Sequence, residues 1–293
     1  MVQTLPQLQK FKLKSRTWRA FSDGFPVGVC TSCSQLVDVD IFGGQLGAVP
    51  HELGRLTMLT RLALPDAGVT RLPESVSRLS ALQELDLSAG FSEETNLPVG
   101  LAACQQLSRP TVDWFFDSPV LKELKALRYL DVLVHRDQPA YWTQLTALTE
   151  LKLRSFGPIP PGLSGMTGPR KLFFVWGKFP YQDVQRDLPA GPYLSRLQSL
   201  VMEDCSFSSG VPARLAAAEQ LHQLIIMEYN ENLSKALQLT AADVAVLSAL
   251  PELTTLRIDK PRRVDQEAWE ERLAQLRAAC IAQGRAAPQM LGA

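Results

Sequence analysis

The chain has 293 residues, and its 30 lysine and arginine residues are balanced by 30 aspartate and glutamate residues. A net charge of zero gives the molecule no overall field to attract nucleic acid or an anionic membrane surface, so neither is expected as a partner. The longest apolar runs fall well short of the ~18 residues that a membrane-spanning helix needs, so no membrane insertion is expected.

Two features of the sequence bear on the compartment. The N-terminal stretch MVQTLPQLQKFKLK lacks the apolar core of a signal peptide. The 5 cysteines are scattered and odd in number, which is typical of a reducing compartment rather than of a disulfide scaffold. We therefore expect a cytoplasmic protein.

The stretch LSALQELDL, residues 79–87, carries the pattern that organises the chain, with leucines at L-x-x-L-x-x-L-x-L spacing. In a strand, Leu85 and Leu87 point to one side and Asp86 points to the other. A single unit cannot be stable, because ordering about 23 residues costs roughly 1–2 kcal/mol each. About four or five buried leucines return only about 1.5–3 kcal/mol apiece. Each unit must therefore lay its leucines against the next unit, and the pattern has to recur.

The pattern recurs, intact or degenerate, at about eleven places in residues 1–260. Successive frames begin 20 to 32 residues apart, a spacing typical of a solenoid. Pro110 and Pro169 displace expected residues, and a loosened strand ladder is expected there because proline lacks a backbone donor. The weak stretches are 5–32, 104–123 and 166–193. The frames begin at Leu5, Cys33, Leu56, Leu79, Cys104, Leu124, Leu145, Met166, Leu194, Ala218 and Leu250.

Between the frames a second pattern recurs, an aliphatic residue and a proline followed by another aliphatic residue, as in Leu72-Pro73 and Val76. Together the two patterns resemble the leucine-rich repeat family. Within that family they are similar to the short repeats of plant and green-algal intracellular proteins and of animal Ras-pathway scaffolds. The resemblance implies an α/β solenoid, a horseshoe with a parallel β-sheet on its concave side and an irregular or short-helical convex side.

Residues 261–293 have a different pattern, in which apolar residues recur at helical spacing between charged residues. We expect a C-terminal capping helix that covers the leucines of the last repeat; a partner-binding helix is the alternative. The final GRAAPQMLGA is expected to be loose. The apolar residues of the predicted helix are Val264, Ala268, Trp269, Leu273, Leu276 and Cys280.

One feature of the leucine-rich repeat family is largely missing, the asparagine whose side-chain amide bonds neighbouring backbones at each turn. Its position is occupied by Gly44, Ala67, Gly90, His135, Phe156, Gly177, Cys205, Tyr229 and Pro261. Among these residues only cysteine is an accepted family substitute. The buried backbone groups of these turns therefore need other partners, and we expect a less regular coil than that of a consensus array.

The sequence favours neither catalysis nor metal binding. Cys30 and Cys33 form a CxxC, but zinc needs a second pair of ligands. Cys33 also occupies a frame position that wants an apolar residue, so we interpret both as buried small hydrophobic residues. The 3 histidines have no nucleophile motif nearby, and no G-x-x-x-x-G-K-[ST] phosphate loop occurs. We predict neither an enzyme nor a cofactor.

The first frame contains lysines in alternation, at Lys10, Lys12 and Lys14. Because this frame comes first in the chain, its strand is expected at the end of the sheet. Alternating charges of this kind typically protect a sheet edge from wrong pairing; a basic docking site is the alternative interpretation.

The frame also predicts the residues of the concave face, because the middle residue of each strand lies there. The first two thirds of this face are polar. From Lys171 onward it becomes apolar, with Phe173 and Met227 as the expected anchors of a protein-binding patch. The alternative is that the insertion 177–194 folds over the patch and covers it. The predicted protein-binding residues are Asp40, Asp86, Asp131, Lys152, Phe173, Val175, Val201, Ile225, Met227 and Arg257.

The predicted function is that of a non-catalytic scaffold that binds a protein partner on its concave face. In the family that the chain resembles, such arrays serve intracellular signalling, and algal members are associated with the cytoskeleton or the ciliary axoneme. One alternative is the recognition module of a larger ubiquitin-ligase substrate receptor or immune receptor. A second alternative is an extracellular receptor ectodomain, which segment 157–160 favours because it resembles plant receptor repeats. The missing signal peptide and the missing cysteine-paired caps argue against it, and glycosylation at the Asn232 motif in cells would support it.

Overall fold

The computed structural model describes residues 5–14, 24–88, 97–112, 119–134, 140–155, 159, 161–176, 188–203, 211–227, 239–259 and 266–291. The chain forms two compact units, Met1–Val134 and His135–Ala293. None of the helices within the described ranges is long and apolar enough to cross a membrane.

The first unit is built on parallel strands that follow one another at intervals of one repeat. They are β1 (Lys10–Lys14), β2 (Asp38–Phe42), β3 (Gly47–Ala48), β4 (Arg61–Ala63), β5 (Val69–Arg71), β6 (Glu84–Leu87), β7 (Arg109–Val112) and β8 (Tyr129–Val134). The main sheet has the order β1-β2-β4-β6-β7-β8, and β3 pairs with β5 alone. A short helix, α1 (Val27–Ser32), precedes β2.

The second unit repeats this arrangement with longer strands. They are β9 (Glu150–Ser155), β10 (Lys171–Trp176), β11 (Ser199–Glu203), β12 (Gln223–Met227), β13 (Thr255–Ile258) and β14 (Gln289–Met290). These strands also lie side by side in chain order and run parallel. Two helices complete the unit, α2 (Ala241–Ser248) and α3 (Gln266–Ala282).

Between most of the strands lies a short 3₁₀ helix, in agreement with the irregular or short-helical convex side that the resemblance implied. The Leu53 amide donates to the Pro50 carbonyl at 3.1 Å, the Leu56 amide to Leu53 at 3.0 Å, and the Leu59 amide to Leu56 at 2.9 Å. Residues three apart eclipse one another in this geometry, so these three leucines all point inward and are fully buried. The turns are His51–Arg55, Glu74–Arg78, Val99–Ala103, Pro119–Glu123, Ala140–Gln144, Pro161–Gly165, Leu194–Arg196 and Ala213–Ala217.

A proline begins several of these turns for a specific reason. Pro50 and Pro73 have extended backbones, with φ and ψ of −73° and 156° and of −78° and 153°. Proline fixes φ and has no amide hydrogen, and the first amides of a helix have no partner within it. The residue therefore starts the turn without leaving a donor unsatisfied.

The proline inside a strand loosens the ladder on one side, as expected. Pro110 is buried and stays in register with Leu85 of β6. On the opposite side, the described pairing of β7 with β8 begins at Thr111. The Ser108 carbonyl accepts from backbone amides at the start of β8. Alternate residues of a strand direct their backbone groups to the same neighbour, so the backbone of Pro110 also faces β8. Because proline has no amide hydrogen, one hydrogen bond of the β7–β8 ladder is missing there.

Backbone groups replace the missing asparagine ladder in the described turns. Ala67 is fully buried, and its carbonyl accepts from the Leu46 amide of the preceding repeat at 2.8 Å. The Gly68 carbonyl accepts from the Gly47 amide at 3.1 Å, and the Asp66 amide donates to the next repeat, at the Ser88 carbonyl. Of the other ladder positions, Gly44 is also buried, and the rest lie outside the described residues.

The C-terminal segment, which was predicted to be a loose tail, contains a short strand. Helix α3 buries Trp269, Leu276 and Cys280 and packs on α2. The chain then turns at Gly284, with φ of 71°, and β14 pairs in parallel with β13. That part of the prediction was wrong because an open strand edge offers backbone partners that a count of apolar residues does not reveal. The role of α3 as a cap stays a prediction, and its residue 264 lies outside the described ranges.

Leu85 tests the core directly, since it is 1% exposed and lies in register with Leu62 of the preceding strand. We expect Leu85→Ala to lower the free energy of unfolding by about 2–5 kcal/mol, because the rigid neighbouring repeats leave a cavity. Urea denaturation followed by circular dichroism measures the change. Met58→Ala, at a side chain that is 49% exposed, is the control and should stay within about 0.5 kcal/mol. Equal small effects would contradict the assignment of Leu85 to the core.

Candidate functional site

The face of each sheet opposite the leucine core, called here the open face, carries two rows of side chains. We name them by position relative to the first core residue of each strand, which is Leu62 in β4 and Leu85 in β6. The first row holds the residue just before this core residue, and the middle row holds the residue just after it. The middle row aligns as the sequence predicted. In the first unit it reads Lys12, Asp40, Ala63, Asp86, Thr111 and Asp131. In the second unit it reads Lys152, Phe173, Val201, Ile225 and Arg257.

The predicted acidic residues of the first unit are all held by nearby donors. Asp40 forms an ion pair with Lys12, whose Nζ lies 3.7 Å away, and accepts from Arg61 Nη1 at 3.4 Å. Asp86 accepts from the backbone amide of Ser88 at 2.9 Å and from its hydroxyl at 2.6 Å. Asp131 is buried and accepts from the Tyr129 hydroxyl at 3.4 Å. These carboxylates order the open face rather than standing ready for acid–base chemistry.

The first row holds a charge ladder that the sequence analysis missed. Its charges alternate from strand to strand, positive and negative in turn, and a tyrosine ends the series. Opposite charges on neighbouring strands attract and like charges repel, so the alternation stabilises this register. The residues of the charge ladder are Lys10, Asp38, Arg61, Glu84, Arg109 and Tyr129. The pattern was available in the sequence, two residues before the middle residue of each strand.

Arg61 is the centre of the charge ladder. Its Nη1 lies 2.8 Å from Asp38 and 3.4 Å from Asp40, and its Nε lies 3.5 Å from Glu84. Burial opposes the charge of Arg61, but the hydrogen bond to Asp38 and the charges of Asp38 and Asp40 raise the pKa of its guanidinium above the ordinary value. One cation therefore links three consecutive strands.

The charge ladder borders a shallow depression of about 160 Å³. Its polar lining includes Arg61, Glu84, Asp86, Arg109 and Tyr129. The Arg109 guanidinium lies 5.0 Å from the centre of the Tyr129 ring, a cation–π distance. The depression is polar and its charges are already satisfied, so an apolar ligand would gain little there.

The second unit presents the predicted apolar patch, defined as Phe173, Val175, Val201, Ile225 and Met227. Phe173 is in register with Val201, and Val201 with Ile225, so three apolar side chains lie side by side on β10, β11 and β12. Val201 is 6% exposed and Met227 is 9% exposed, whereas the other three are half-buried. Phe173 and Ile225 thus flank a buried valine and keep part of their apolar surface.

Polar residues surround the apolar patch. Glu203 lies in register between Val175 and Met227. The Ser199 hydroxyl donates to the Gln223 side chain at 2.7 Å on the other side of the middle row. The row ends at Lys152 and Arg257, and Arg257 Nε lies 2.9 Å from Asp259. A short apolar strip bounded by charges is the usual composition of a protein-binding surface.

Most of the insertion that was considered as a cover for the apolar patch, positions 177–187, lies outside the described residues. The later residues of the insertion are held close to the body of the unit. Leu188, Tyr193 and Leu194 are buried, and the Tyr193 hydroxyl donates to the Pro189 carbonyl at 2.6 Å.

Cys30 and Cys33, which form the CxxC, are buried, and so is Cys104. Burial, with the nearby charge of Glu52, raises the pKa of the Cys30 thiol to about 12, and burial raises the pKa of Cys104 to about 11. A protonated thiol is a poor nucleophile and metal ligand. Within the described part of the chain, His, Cys, Asp and Glu form no group suited to a metal ion. His51 and His222 are exposed.

No protein-family model and no curated protein matches the sequence. Among solved structures, an internalin of Listeria monocytogenes aligns at 17% identity with a TM-score of 0.56, covering 86% of this chain and 75% of that one. TLR13, solved in complex with ssRNA13, aligns at 17% identity with a TM-score of 0.54, covering 87% of this chain and 43% of that one. The Arabidopsis receptor kinase HAESA aligns at 18% identity with a TM-score of 0.47, covering 76% and 43%. At these identities the likeness concerns the fold.

The charge ladder should contribute to stability in a salt-dependent way. We expect Arg61→Gln to lower the free energy of unfolding by about 1 kcal/mol at low salt, because it leaves three carboxylates on the two neighbouring strands without their shared cation. Urea denaturation at low salt and in about 1 M NaCl measures this, and the loss should shrink as salt screens the charges. Arg78→Gln, at an exposed arginine in a 3₁₀ turn, is the control. A salt-independent loss at Arg61 would argue against the ladder.

Proposed function

We propose that this chain, which has the leucine-rich repeat fold, is a non-catalytic scaffold that binds a protein partner on the open face of its second unit. The observation that supports the proposal most is the row Phe173, Val201 and Ile225, held in register on adjacent strands. Parallel strands anchored by buried leucines keep such a row rigid. A rigid apolar row loses little conformational entropy when it binds.

The geometry of the apolar patch indicates the kind of partner. Phe173 and Ile225 retain exposed surface on either side of Val201, so two apolar side chains of a partner can pack there. Lys152 and Arg257 end the row, about four strand spacings or roughly 19 Å apart. A partner segment with apolar residues at its centre and polar residues towards its ends fits this arrangement. The apolar contacts supply affinity, and the charges supply orientation and association rate.

The charge ladder of the first unit is a weaker docking surface. Its carboxylates and cations already pair with one another, so a partner must break existing contacts to make new ones. Desolvating paired charges costs about as much as re-forming them returns. We therefore assign the main binding surface to the apolar patch.

Substitution of the apolar patch tests the proposed function. We expect Phe173→Asp combined with Ile225→Asp to abolish capture of the partner from cells of the source organism, because two carboxylates cannot be buried against an apolar partner surface. Quantitative affinity capture with the full chain as bait, read by mass spectrometry, measures this. The thermal melt by circular dichroism should change little, because both side chains are only half-buried.

The matched control for that substitution is Met58→Asp combined with Val99→Asp. These side chains are 49% and 74% exposed and lie outside both strand faces, so the control makes the same apolar-to-acid change elsewhere. It should capture the same proteins as the unsubstituted chain. Equal capture by all three proteins, with intact melts, would overturn the proposal. Should the Asp variant fail to fold, Phe173→Ala with Ile225→Ser repeats the comparison without buried charge.

We place this scaffold in the cytoplasm, in signalling or in cytoskeletal and axonemal assemblies. The support is cysteine chemistry: Cys30, Cys33, Cys104 and Cys280 are free and buried, as is typical of proteins from a reducing compartment.

The state of Asn232 separates this setting from an extracellular receptor ectodomain. We expect the protein isolated from its own cells to keep its mass on treatment with a peptide N-glycosidase, because cytoplasmic chains do not meet the glycosylation machinery. Intact-mass spectrometry before and after treatment measures it. A loss of glycan mass at this site would favour the ectodomain and contradict the cytoplasmic proposal.

A further inference from the structure

Strand β1 is the edge of the first sheet, because it comes first in the strand order and pairs with β2. The Gln9 carbonyl accepts from the Val37 and Asp38 amides on the β2 side. Along a strand, successive residues direct their backbone groups to opposite neighbours. The amides and carbonyls of Lys10, Lys12 and Lys14 therefore point to the outer side of β1, away from β2.

The side chains of β1 alternate in the same way. Its lysines are exposed on the open face, and Phe11 and Leu13 are half-buried on the core side. The equivalent residues of β2, Val39 and Ile41, are 0% exposed because strands flank them on both sides. The core side of β1 thus has unused apolar surface at the sheet edge.

Strand β2 shows what kind of strand β1 accepts. It places Asp38 and Asp40 in register with Lys10 and Lys12, and Val39 in register with Phe11. Lys12 Nζ lies 3.9 Å from Asp38 and 3.7 Å from Asp40. An extended strand of alternating acidic and aliphatic residues therefore complements β1 on both of its faces at once.

A second copy of this chain is a poor occupant of the same edge. Pairing β1 with another β1 in antiparallel fashion sets Lys12 opposite Lys12 and Lys10 opposite Lys14. Like charges directly opposite each other destabilise a strand pair. The lysines thus protect the edge against self-association, and the same lysines favour an acidic partner.

We propose that the outer edge of β1 binds an extended segment of a partner protein in which acidic residues alternate with aliphatic ones. The segment adds to the sheet as a further parallel strand, as in other cases of strand addition. Backbone hydrogen bonds to the lysine residues of β1 supply affinity. Its carboxylates lie beside the lysines of β1, of which Lys10 and Lys14 have no ion-pair partner among the described residues, and its aliphatic side chains cover Phe11 and Leu13.

The probe is a fluorescently labelled synthetic peptide with the sequence of residues 36–42, LVDVDIF, the strand that β1 already accepts. Fluorescence anisotropy with the full chain should show saturable binding at low salt. Lys10→Glu combined with Lys14→Glu should weaken binding at least tenfold. This variant leaves Lys12 in its ion pairs, and circular dichroism verifies the fold. Because Glu at position 10 would lie opposite Asp38, Lys10→Gln combined with Lys14→Gln repeats the comparison without opposed like charges.

The matched control is Arg55→Glu combined with Arg78→Glu, which makes the same change in net charge at exposed residues of the 3₁₀ turns. It should bind the peptide as the unsubstituted chain does. A peptide carrying lysine at its two aspartate positions should bind the Lys10→Glu and Lys14→Glu variant more tightly than it binds the unsubstituted chain.

A peptide N-methylated at its Val39 and Ile41 positions separates strand addition from charge attraction. In the proposed register these amides face β1, so methylation should abolish binding. Three results would overturn the proposal: no saturable binding of the acidic peptide, unchanged binding to the lysine variant, or equal binding of the methylated peptide. None of these three results tests the proposed function, because the apolar patch lies in the second unit.

Discussion

The structure depends on one spacing rule, in which core leucines lie three residues apart through the 3₁₀ turn and two residues apart through the strand. Leu53, Leu56 and Leu59 point the same way because residues three apart eclipse in a 3₁₀ helix, and Leu62 and Leu64 continue the series because strand residues alternate. All five are fully buried. They are buried only because the adjacent repeats cover them, so the stability of each repeat depends on its neighbours.

This rule explains which parts could be predicted from the sequence. The alignment of Phe173 with Val201 and Ile225 was predictable because a one-residue slip would turn buried leucines outward. Short helical segments between the strands were predictable where an aliphatic residue and a proline precede them, as at Pro50 and Pro73. The strand Gln289–Met290 was not, because its two residues are held by an open backbone edge rather than by an apolar pattern. The charge ladder was missed because the middle residue of each strand had been taken to represent the whole open face.

The two units use the same backbone for different surfaces. In the first unit, Arg61 joins carboxylates on neighbouring strands. Charged side chains of this open face already pair with one another, so a partner is expected to add little. In the second unit, Phe173 and Ile225 keep apolar area that no neighbouring strand can cover, and burial of that area is worth about 25 cal/mol per Å². We therefore expect the open face of the second unit to bind a partner better than that of the first, because the charged side chains of the first unit already pair with one another.

The turns between repeats show how the coil holds without the asparagine ladder. Gly68 has φ of 56°, and a Cβ there would lie 3.1 Å from the Gln45 Cα and from the Gly44 carbonyl oxygen. Asp66 also lies in the left-handed region, with φ of 54°, a conformation that aspartate tolerates better than most residues. The backbones therefore approach closely enough to bond directly, from Leu46 to Ala67 and from Gly47 to Gly68. An asparagine side chain would bridge a gap between turns that this close approach removes, so its absence costs these two repeats little.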